Sequence, residues 1–243
     1  MDKNGLMIET ARILSAKDGA RVAARRIGEI KITDARLSGT AARRIGRRAG
    51  RYITLRGEPH AAGMTALLRR AIMQMLPLRG RLFAVGLGNP DITQDSLGAA
   101  SVRVMRARRG GRYSLAAIET DVAAKTGLET ARLVKAAARE LHADCVIAID
   151  ALSCRDPRCI GRTVQVGSTG IIPGSGAGAA EGELSEELLG CPIIAVGVPT
   201  AAPLSAITRA IPDRGFLVST SDVNTIINMW AEVIGGAIDS IVE

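Results

Sequence analysis

Three runs of apolar residues have the length and composition of buried β-strands. Residues 82–86 read Leu-Phe-Ala-Val-Gly, residues 144–149 read Asp-Cys-Val-Ile-Ala-Ile, and residues 193–198 read Ile-Ile-Ala-Val-Gly-Val. Turn-forming residues follow each run, and the runs themselves are rich in aliphatic side chains. This pattern predicts central strands of a buried sheet. Weaker strand patterns lie at residues 29–33, 52–55, 115–119 and 163–166.

Apolar residues at helical spacing separate these strands. Short helices are predicted at residues 7–16 and 185–189, and longer ones at residues 64–76, 96–106, 128–142 and 221–242. In the last segment, one helical face collects Val223, Ile226, Ile227, Trp230, Ile234 and Ile238, which indicates packing on a sheet. Strands that alternate with helices require right-handed crossovers. The predicted fold class is therefore α/β, a three-layer α/β/α arrangement with a largely parallel central sheet.

Residues 1–57 differ in composition from the remainder of the chain. They are polar, basic and rich in glycine and alanine, so we expect them to lack a core of their own. The predicted organisation is a basic N-terminal arm at residues 1–57 that packs on a single α/β domain at residues 58–243. The beginning of the arm is expected to be exposed.

Composition limits both the core and the partners of this chain. Hydrophobic residues make up 47% of the sequence and aromatic residues only 2%, so Ala, Val, Ile and Leu must build the core. The net charge is +8, with arginine pairs at residues 25–26, 43–44 and 47–48. Such charges form either a solvated surface or a patch that steers an acidic partner. Because no aromatics interleave with them and no nucleic-acid motif is present, no direct nucleic-acid binding is expected.

Membrane and metal partners are not expected either. No apolar run approaches the ~20 residues of a membrane span, and no secretory signal pattern opens the chain, so a cytoplasmic location is expected. Cys154 and Cys159 are separated by four residues, while Cys145 and Cys191 lie in or beside apolar runs. We interpret all four as reduced, partly buried thiols. No cofactor or metal is expected.

Two aspartates lie where predicted strands give way to loops. Asp150 directly follows the strand at residues 144–149, and Asp95 precedes the helix at residues 96–106. Ligands bind at the carboxyl ends of strands in open α/β sheets, so these two side chains could share one site. One carboxyl of such a pair keeps a proton while the other activates water. The simpler interpretations are a first-turn helix acid for Asp95 and a turn cap for Asp150.

Other polar and glycine-rich positions allow several interpretations. Asn89 follows Gly86-Leu87-Gly88 and supports a sharp turn, because the third glycine of a dinucleotide fingerprint is not in place. A serine nucleophile is not expected, since His60 and His142 are not beside a Gly-x-Ser-x-Gly elbow. Residues 168–178 form either a flexible loop or a loop whose N–H groups bind an oxyanion or an extended peptide. The candidate residues for such binding are Asn89 together with Ser168, Thr169, Gly170, Gly174, Ser175 and Gly176.

These stretches, in this order, resemble the germination endopeptidases of spore-forming bacteria, which degrade small acid-soluble spore proteins. The resemblance covers residues 82–200, and residues 50–55 resemble the family more weakly. It rests on Gly86-Leu87-Gly88-Asn89 with Asp95 and Gly98, on Ala148-Ile149-Asp150-Ala151-Leu152, on residues 168–176 and on residues 191–200. Two positions depart from the family pattern, because Ser168 replaces an aspartate and Ala179 replaces an asparagine.

The resemblance implies several properties of this chain. The family's proposed catalytic pair corresponds to Asp95 and Asp150, the fold is phosphorylase/hydrolase-like, and the substrates are small acid-soluble spore proteins in the spore core. Family members form tetramers and are made as zymogens that remove their own first residues. Glu9 and Thr10, within Met-Ile-Glu-Thr-Ala, loosely resemble such a processing site.

Two other functions remain open at this point. The same aspartate motifs resemble hydrogenase-maturation endopeptidases, in which the matching acids bind nickel, although that family also uses a later histidine and no histidine follows His142. The third interpretation is a catalytically silent relative that binds a partner through its basic arm and glycine loop. Loss of activity on changing either aspartate would separate an enzyme from a binding protein.

Overall fold

A computed structural model describes residues 6–10, 18–173, 182–208 and 215–243. Within these residues, nine strands form one sheet, and eight of them follow the order β1-β2-β3-β7-β8-β6-β4-β5, while β9 pairs with β8 beside this path. The strands are β1 (Ala20–Ile27), β2 (Ile30–Leu37), β3 (Gly50–Arg56), β4 (Gly80–Gly86), β5 (Tyr113–Glu119), β6 (Cys145–Ser153), β7 (Thr163–Gly167), β8 (Ile193–Pro203) and β9 (Leu217–Val218).

The sheet is mixed, so the expected largely parallel sheet is only partly observed. One half of the sheet is parallel, since β8 pairs with β6, β6 with β4, and β4 with β5 in parallel. Strands β1, β2, β3 and β7 pair antiparallel, and β7 also meets β8 in antiparallel register. The parallel half is the part built with helical crossovers, whereas the hairpin between β1 and β2 needs only a two-residue turn.

Eight helices accompany the sheet in the described residues. They are α1 (Met7–Thr10), α2 (Gly39–Arg44), α3 (Met64–Met73), α4 (Leu97–Val104), α5 (Ala123–Thr126), α6 (Thr130–Glu140), α7 (Glu186–Leu189) and α8 (Val223–Val242). Ser38 caps α2, because its side-chain oxygen accepts the N–H of Ala41. A short 3₁₀ helix, Thr93–Asp95, precedes α4.

Two apolar clusters on opposite faces of the sheet make the expected three layers. On one face, Trp230 and Ile234 of α8 join Leu68 of α3 and Ile147 of β6. On the other face, Val134 of α6 packs with Val146 and Ala148 of β6. The single tryptophan also donates its indole N–H to the carbonyl of Gly161 at 2.7 Å, so its burial leaves no polar atom unsatisfied.

The N-terminal region contributes to the sheet and to the core. Strands β1, β2 and β3 all lie within the 1–57 segment that composition set apart. Ile32 of β2 and Leu55 of β3 belong to the same apolar cluster as α8. A smaller third cluster, around Leu37, Ala41 and Tyr52, also lies within this segment. Residues 1–57 therefore contain a small apolar cluster of their own, and the expectation that they lack any core is wrong in this respect.

Among the residues that the structure describes, one helix is long and apolar enough to cross a membrane by length and composition. It is α8, of which half of the relevant window is buried inside the protein. A core helix of a soluble protein passes the same test, so this observation is weak evidence of a membrane span. The four cysteines are free thiols, and burial raises the pKa of the Cys145 thiol to about 12.

Candidate active site

Asp150 is a carboxyl group within the most deeply buried strand of the sheet. All nine residues of β6 are buried, and Asp150 is only 2% exposed. It lies opposite Gly197 of β8 in the parallel register. Strand alternation gives it the same face as Ala148 and Leu152, which belong to the cluster under α6. Its Oδ1 accepts the N–H of Ala151 at 2.9 Å.

Asp95 ends the 3₁₀ helix between β4 and α4 and is less buried than Asp150. Its Oδ2 accepts the backbone N–H of Asn89 at 2.7 Å. Asn89 in turn accepts the N–H of Asp91 through its side-chain oxygen at 3.0 Å. Thr200, on β8, donates its hydroxyl to the carbonyl of Gln94 at 2.6 Å. The first two bonds shape the loop around Asp95, and the Thr200 bond fastens the 3₁₀ helix to β8.

Glycines allow the loop and helix to approach the strands closely. Gly88 has φ +100°, and a side chain there would clash with the carbonyl oxygen of Asp95. A side chain at Gly98, in the first turn of α4, would clash with the backbone of Leu87 and Ile149. These glycines therefore serve close backbone packing, which sets the position of Asp95 relative to β6.

The two aspartates share one electrostatic environment. Burial raises the pKa of Asp150 well above its usual value, and the charge of Asp95 raises it further, while the Ala151 N–H opposes both. Burial also raises the pKa of Asp95, against the Asn89 N–H, and Asp121 adds a smaller increase. Since Asp150 is the more deeply buried, it holds its proton to higher pH. The pair is therefore expected to carry one proton and one negative charge.

A cavity of about 420 Å³ opens on the face of the sheet to which Asp150 belongs, although neither aspartate lines it. Gly197, the β8 neighbour of Asp150, forms part of its wall together with Leu152 of β6. The opposite wall is basic and contains Arg43, Arg47 and Arg48, from the end of α2 and the loop that follows it. The cavity thus places a basic wall on the same face of the sheet as the buried carboxyl, with Gly197 between them.

Hydrogen bonds order the wall of this cavity. Tyr52 donates its hydroxyl to the carbonyl of Arg48 at 2.9 Å, and Thr169 donates to the Tyr52 hydroxyl oxygen at 3.0 Å. Arg48 forms ion pairs with Glu183 at 2.5 Å and with Glu187 at 3.3 Å. Burial raises the pKa of Tyr52, so its hydroxyl stays protonated at neutral pH. The cavity therefore offers hydroxyl groups as well as guanidinium groups.

The residues expected in the glycine-rich loop occupy different places. Thr169 and Gly170 line the cavity. Gly170 has φ +81° and lies so close to the Leu184 carbonyl that a side chain would clash. Ser168 instead accepts the Arg51 N–H at 3.1 Å and joins the loop to β3. The remaining candidates, Gly174, Ser175 and Gly176, lie outside the described residues.

The N-terminal segment is docked beside this cavity. Leu6 and Met7 are almost completely buried, so the expected exposure of this segment is wrong for these two residues. Met7 donates its N–H to Gln165, a residue of the cavity wall, at 2.6 Å. Glu9 accepts the N–H groups of Arg155 and Asp156, each at 2.8 Å. Thr10 donates its hydroxyl to the carbonyl of Met7 at 3.1 Å.

Several residues of the site were not singled out by the sequence. Thr200 ends a recognised motif, yet nothing in the motif indicates its bond to the Gln94 carbonyl. Arg47 and Arg48 drew attention only as surface charge, although they directly precede the recognised stretch at residues 50–55. That adjacency was the available signal. No cluster of three or more His, Cys, Asp or Glu residues with metal-binding geometry occurs in the part of the chain that the structure describes.

Comparisons with known proteins agree on one family. Residues 6–214 match the family model for germination protease. The germination protease of Clostridium tetani is 31% identical over 233 residues, which cover 85% of this chain and 72% of that protein. The Geobacillus sp. protein is 31% identical, covering 79% and 58%, and that of Halalkalibacterium halodurans is 33% identical, covering 74% and 54%. The chain thus spans between about half and three quarters of these relatives' length.

The similarity of this chain to a solved structure is weaker than its similarity to these relatives. The nickel–iron hydrogenase maturation protease HycI from Thermococcus kodakarensis KOD1 matches with a TM-score of 0.36 and 14% identity, covering 69% of this chain and 97% of that one. The family match over most of the sequence is the finding that assigns the chain. This chain belongs to the germination protease family, which consists of endopeptidases and so of hydrolases.

Proposed function

We propose that this protein is the endopeptidase that begins the degradation of small acid-soluble, DNA-protecting spore proteins during germination. The observation that carries the proposal is the buried carboxyl of Asp150 within the central strand β6, with its pKa raised by burial and raised further by the charge of Asp95. Two carboxyl groups in this relation supply an acid and a base in one place. Membership of the germination protease family supports the same reaction.

The roles of the two aspartates follow from their burial. Asp95 is the more accessible group and is ionised, so it accepts a proton from water as the water oxygen attacks the peptide carbonyl carbon. Asp150 stays protonated and donates to the carbonyl oxygen, on which negative charge develops. As the tetrahedral intermediate collapses, the C–N bond breaks and Asp95 gives the proton it took from water to the leaving amine. The carbonyl re-forms at the same time, and Asp150 takes back the proton that it donated. No covalent intermediate with the protein forms.

The basic cavity is the proposed binding site for an acidic side chain beside the scissile bond. Arg47 and Arg48 supply positive charge, Thr169 supplies a hydroxyl group, and Glu183 partly balances Arg48. A glutamate side chain of the substrate would place its carboxylate against these donors. Its backbone would then lie along β8, close to Gly197 and Asp150.

The decisive experiment combines the substrate with variants of the aspartates. A small acid-soluble spore protein is incubated with the wild type and with Asp95→Asn and Asp150→Asn, and the products are followed by intact-mass analysis. The wild type should cut at one site, whereas each variant should lose on the order of 10² or more of its rate, since an amide keeps the shape without the proton transfer.

The matched control for these variants is Asp91→Asn. Asp91 lies in the same loop as Asp95 but is exposed and pairs with Lys125. The Asp91→Asn variant should cleave the substrate at nearly the wild-type rate. Near-normal rates in a folded Asp95→Asn or Asp150→Asn would reject the proposed pair, and an experimental separation of the two carboxyls well beyond ~10 Å would do the same.

The role of the basic cavity has its own test. Arg47→Gln should weaken cleavage of a peptide with glutamate beside the scissile bond more than cleavage of the matching glutamine peptide. The effect should be a rise in KM, because the cavity holds the side chain and does not take part in proton transfer. Arg44→Gln is the control, since Arg44 pairs with Asp18 and does not line the cavity.

Processing, assembly and location complete the proposal. By family resemblance, the protein is a homotetramer of the spore core and is made as a zymogen, with self-cleavage after Glu9 and before Thr10. The two N–H bonds to Glu9 mean that α1 must unwind for this cut. Wild-type protein kept at mildly acidic pH should shorten, while Asp150→Asn stays full length. If both stay full length, self-cleavage is rejected without affecting the substrate test.

A further inference from the structure

The hairpin of β1 and β2, residues 20–37, forms one edge of the sheet, with β1 outermost and β2 paired to β3. We call it the basic hairpin. Seven of the eight residues of β1 are exposed, so both faces of this edge strand meet solvent. Val22 is 44% exposed and Ile27 is 45% exposed. Within the described residues, β1 pairs only with β2, which leaves the backbone groups along its outer edge free.

The basic hairpin carries more positive charge than its surroundings neutralise. It contains two acids, Glu29 and Asp34, of which Asp34 is held by Arg51 at 2.6 Å. No ion pair involves the hairpin's cations anywhere in the part of the chain that the structure describes. These cations are Arg21, Arg25, Arg26, Lys31 and Arg36, and all five are exposed.

Like charges lie directly opposite one another across the strands. Arg21 pairs in register with Arg36. On the other face, Arg26 lies opposite Lys31, and Lys31 lies opposite Arg56 of β3, which makes a row of three cations. Directly opposed like charges destabilise a sheet. Folding alone gives no reason for this arrangement, whereas a bound anion with many charges relieves the repulsion on both faces.

We infer that the basic hairpin binds the phosphate backbone of double-stranded DNA without reading its sequence. The exposed edge strand β1 would lie against the major groove, which is wide enough to admit a β-ribbon, and the cations on both faces of this sheet edge then meet the phosphates on either side. Arg21 to Arg26 span roughly 17 Å of strand, enough to follow several phosphates. The free N–H groups of β1 are further donors to phosphate oxygens. This inference does not depend on the proposed protease activity.

The composition of the hairpin favours a DNA duplex over other nucleic acids. No aromatic residue occurs between residues 20 and 37, so the hairpin has no platform on which unpaired bases would stack. The major groove of duplex RNA is too deep and narrow for side chains to read or a ribbon to enter. The sequence expectation of no nucleic-acid binding rested on missing base-reading motifs, and contacts to phosphate do not need such motifs.

The test measures binding of the full chain to a mixed-sequence 30-base-pair DNA by fluorescence anisotropy between 50 and 200 mM salt. The first variant changes Arg21, Arg25, Arg26 and Lys31 to Gln. The matched control changes Arg79, Arg109, Lys135 and Arg139 to Gln, which are also exposed and also lie outside the ion pairs. Both variants lose the same net charge. Thermal melting verifies that both are folded.

The wild type should bind with a Kd of about 10⁻⁴–10⁻⁶ M, and the plot of log K against log salt should fall with a slope of about −0.9 for each phosphate contacted. The hairpin variant should bind at least tenfold more weakly and lose up to about three to four units of that slope, one for each contact removed. The control should stay within about twofold of the wild type, because charge far from the hairpin acts only through the screened field.

Other outcomes would overturn the inference. Equal weakening in both variants would mean a general effect of net charge. No wild-type binding at 50 mM salt would exclude a DNA surface. Equally tight binding of poly-glutamate, or of single-stranded DNA or duplex RNA at matched charge, would mean a different partner. A change of oligomeric state in the hairpin variant alone, measured by sedimentation without DNA binding, would assign the hairpin to contacts between copies of this chain.

Discussion

The raised pKa of Asp150 suits its proposed role as a proton donor but lowers the stability of the folded chain at neutral pH. This raised folded-state pKa means that the folded chain retains a proton that the unfolded chain loses above the ordinary aspartate pKa. Stability is therefore lost as pH rises through that interval. Asp150→Asn should remove this penalty and raise the melting temperature at pH 7, by about 2–4 °C for each kcal/mol regained. The gain should shrink towards pH 4, and melting curves at both pH values check it. An equal change at pH 4 and pH 7 would contradict a proton held by Asp150.

Gly88 and Gly110 separate backbone strain from positioning of the active site. Both have positive φ, +100° and +99°, but a side chain at Gly88 would meet Asp95, whereas nothing lies near Gly110. Gly88→Ala should therefore lower kcat on the order of tenfold or more in protein that is still folded, because Asp95 must shift. Gly110→Ala should cost about 1–2 kcal/mol of stability and leave kcat unchanged. Equal activity in the two variants would reject the positioning role of Gly88.

At the scale of elements, periodicity predicted the strands and helices of the parallel half within a few residues. Strand β6, expected at residues 144–149, extends to Ser153, and α6, expected at residues 128–142, spans Thr130–Glu140. Strand β1 was missed because no face of it is buried, so its arginines and alanines leave no hydrophobic alternation to detect. Strands β2, β3 and β7 were predicted at about the right residues, but their antiparallel pairing was not, since the direction of pairing is not encoded in the alternation of one strand.

The carboxylate of Glu9 is one of the groups that anchor helix α1, beside the buried Met7 and its bond to Gln165. Glu9 accepts two backbone N–H groups at the start of the turn that contains Pro157. Bonds to a charged acceptor are stronger than neutral ones, but Glu9 is only half-buried, so Glu9→Gln should cost about 1 kcal/mol and lower the melting temperature by about 2–4 °C. Glu140→Gln is the control, since this exposed residue lies outside the ion pairs of the described chain. If both variants melt alike, Glu9 does not anchor the segment.

At the scale of the whole molecule, the sequence singles out the two aspartates but not the cavity on the face of the sheet that Asp150 shares. Asp95 and Asp150 each lie in a short local motif, so one stretch of sequence suffices to find them. The cavity wall combines residues near positions 47, 165 and 197, brought together only because β3, β7 and β8 are neighbours in the sheet. That neighbourhood depends on long-range antiparallel pairing. No local pattern reports it, and so the basic wall was interpreted as ordinary surface.

The boundary predicted at residue 57 can be tested by cutting the chain there. Strand β3 lies between β2 and β7, so a 58–243 fragment would leave β7 as an unpaired edge. It would also lose Ile30, Ile53 and Leu55 from the cluster shared with α8, and each buried side chain of this size contributes about 1.5–3 kcal/mol. That loss approaches the entire stability of a typical domain. We therefore expect the fragment to aggregate or to unfold without a cooperative transition, as measured by circular dichroism during heating.

A chain that begins at Leu6 keeps every described strand and should melt within a few degrees of the full chain. A sharp, cooperative transition in the 58–243 fragment would instead show that residues 1–57 are a separable arm.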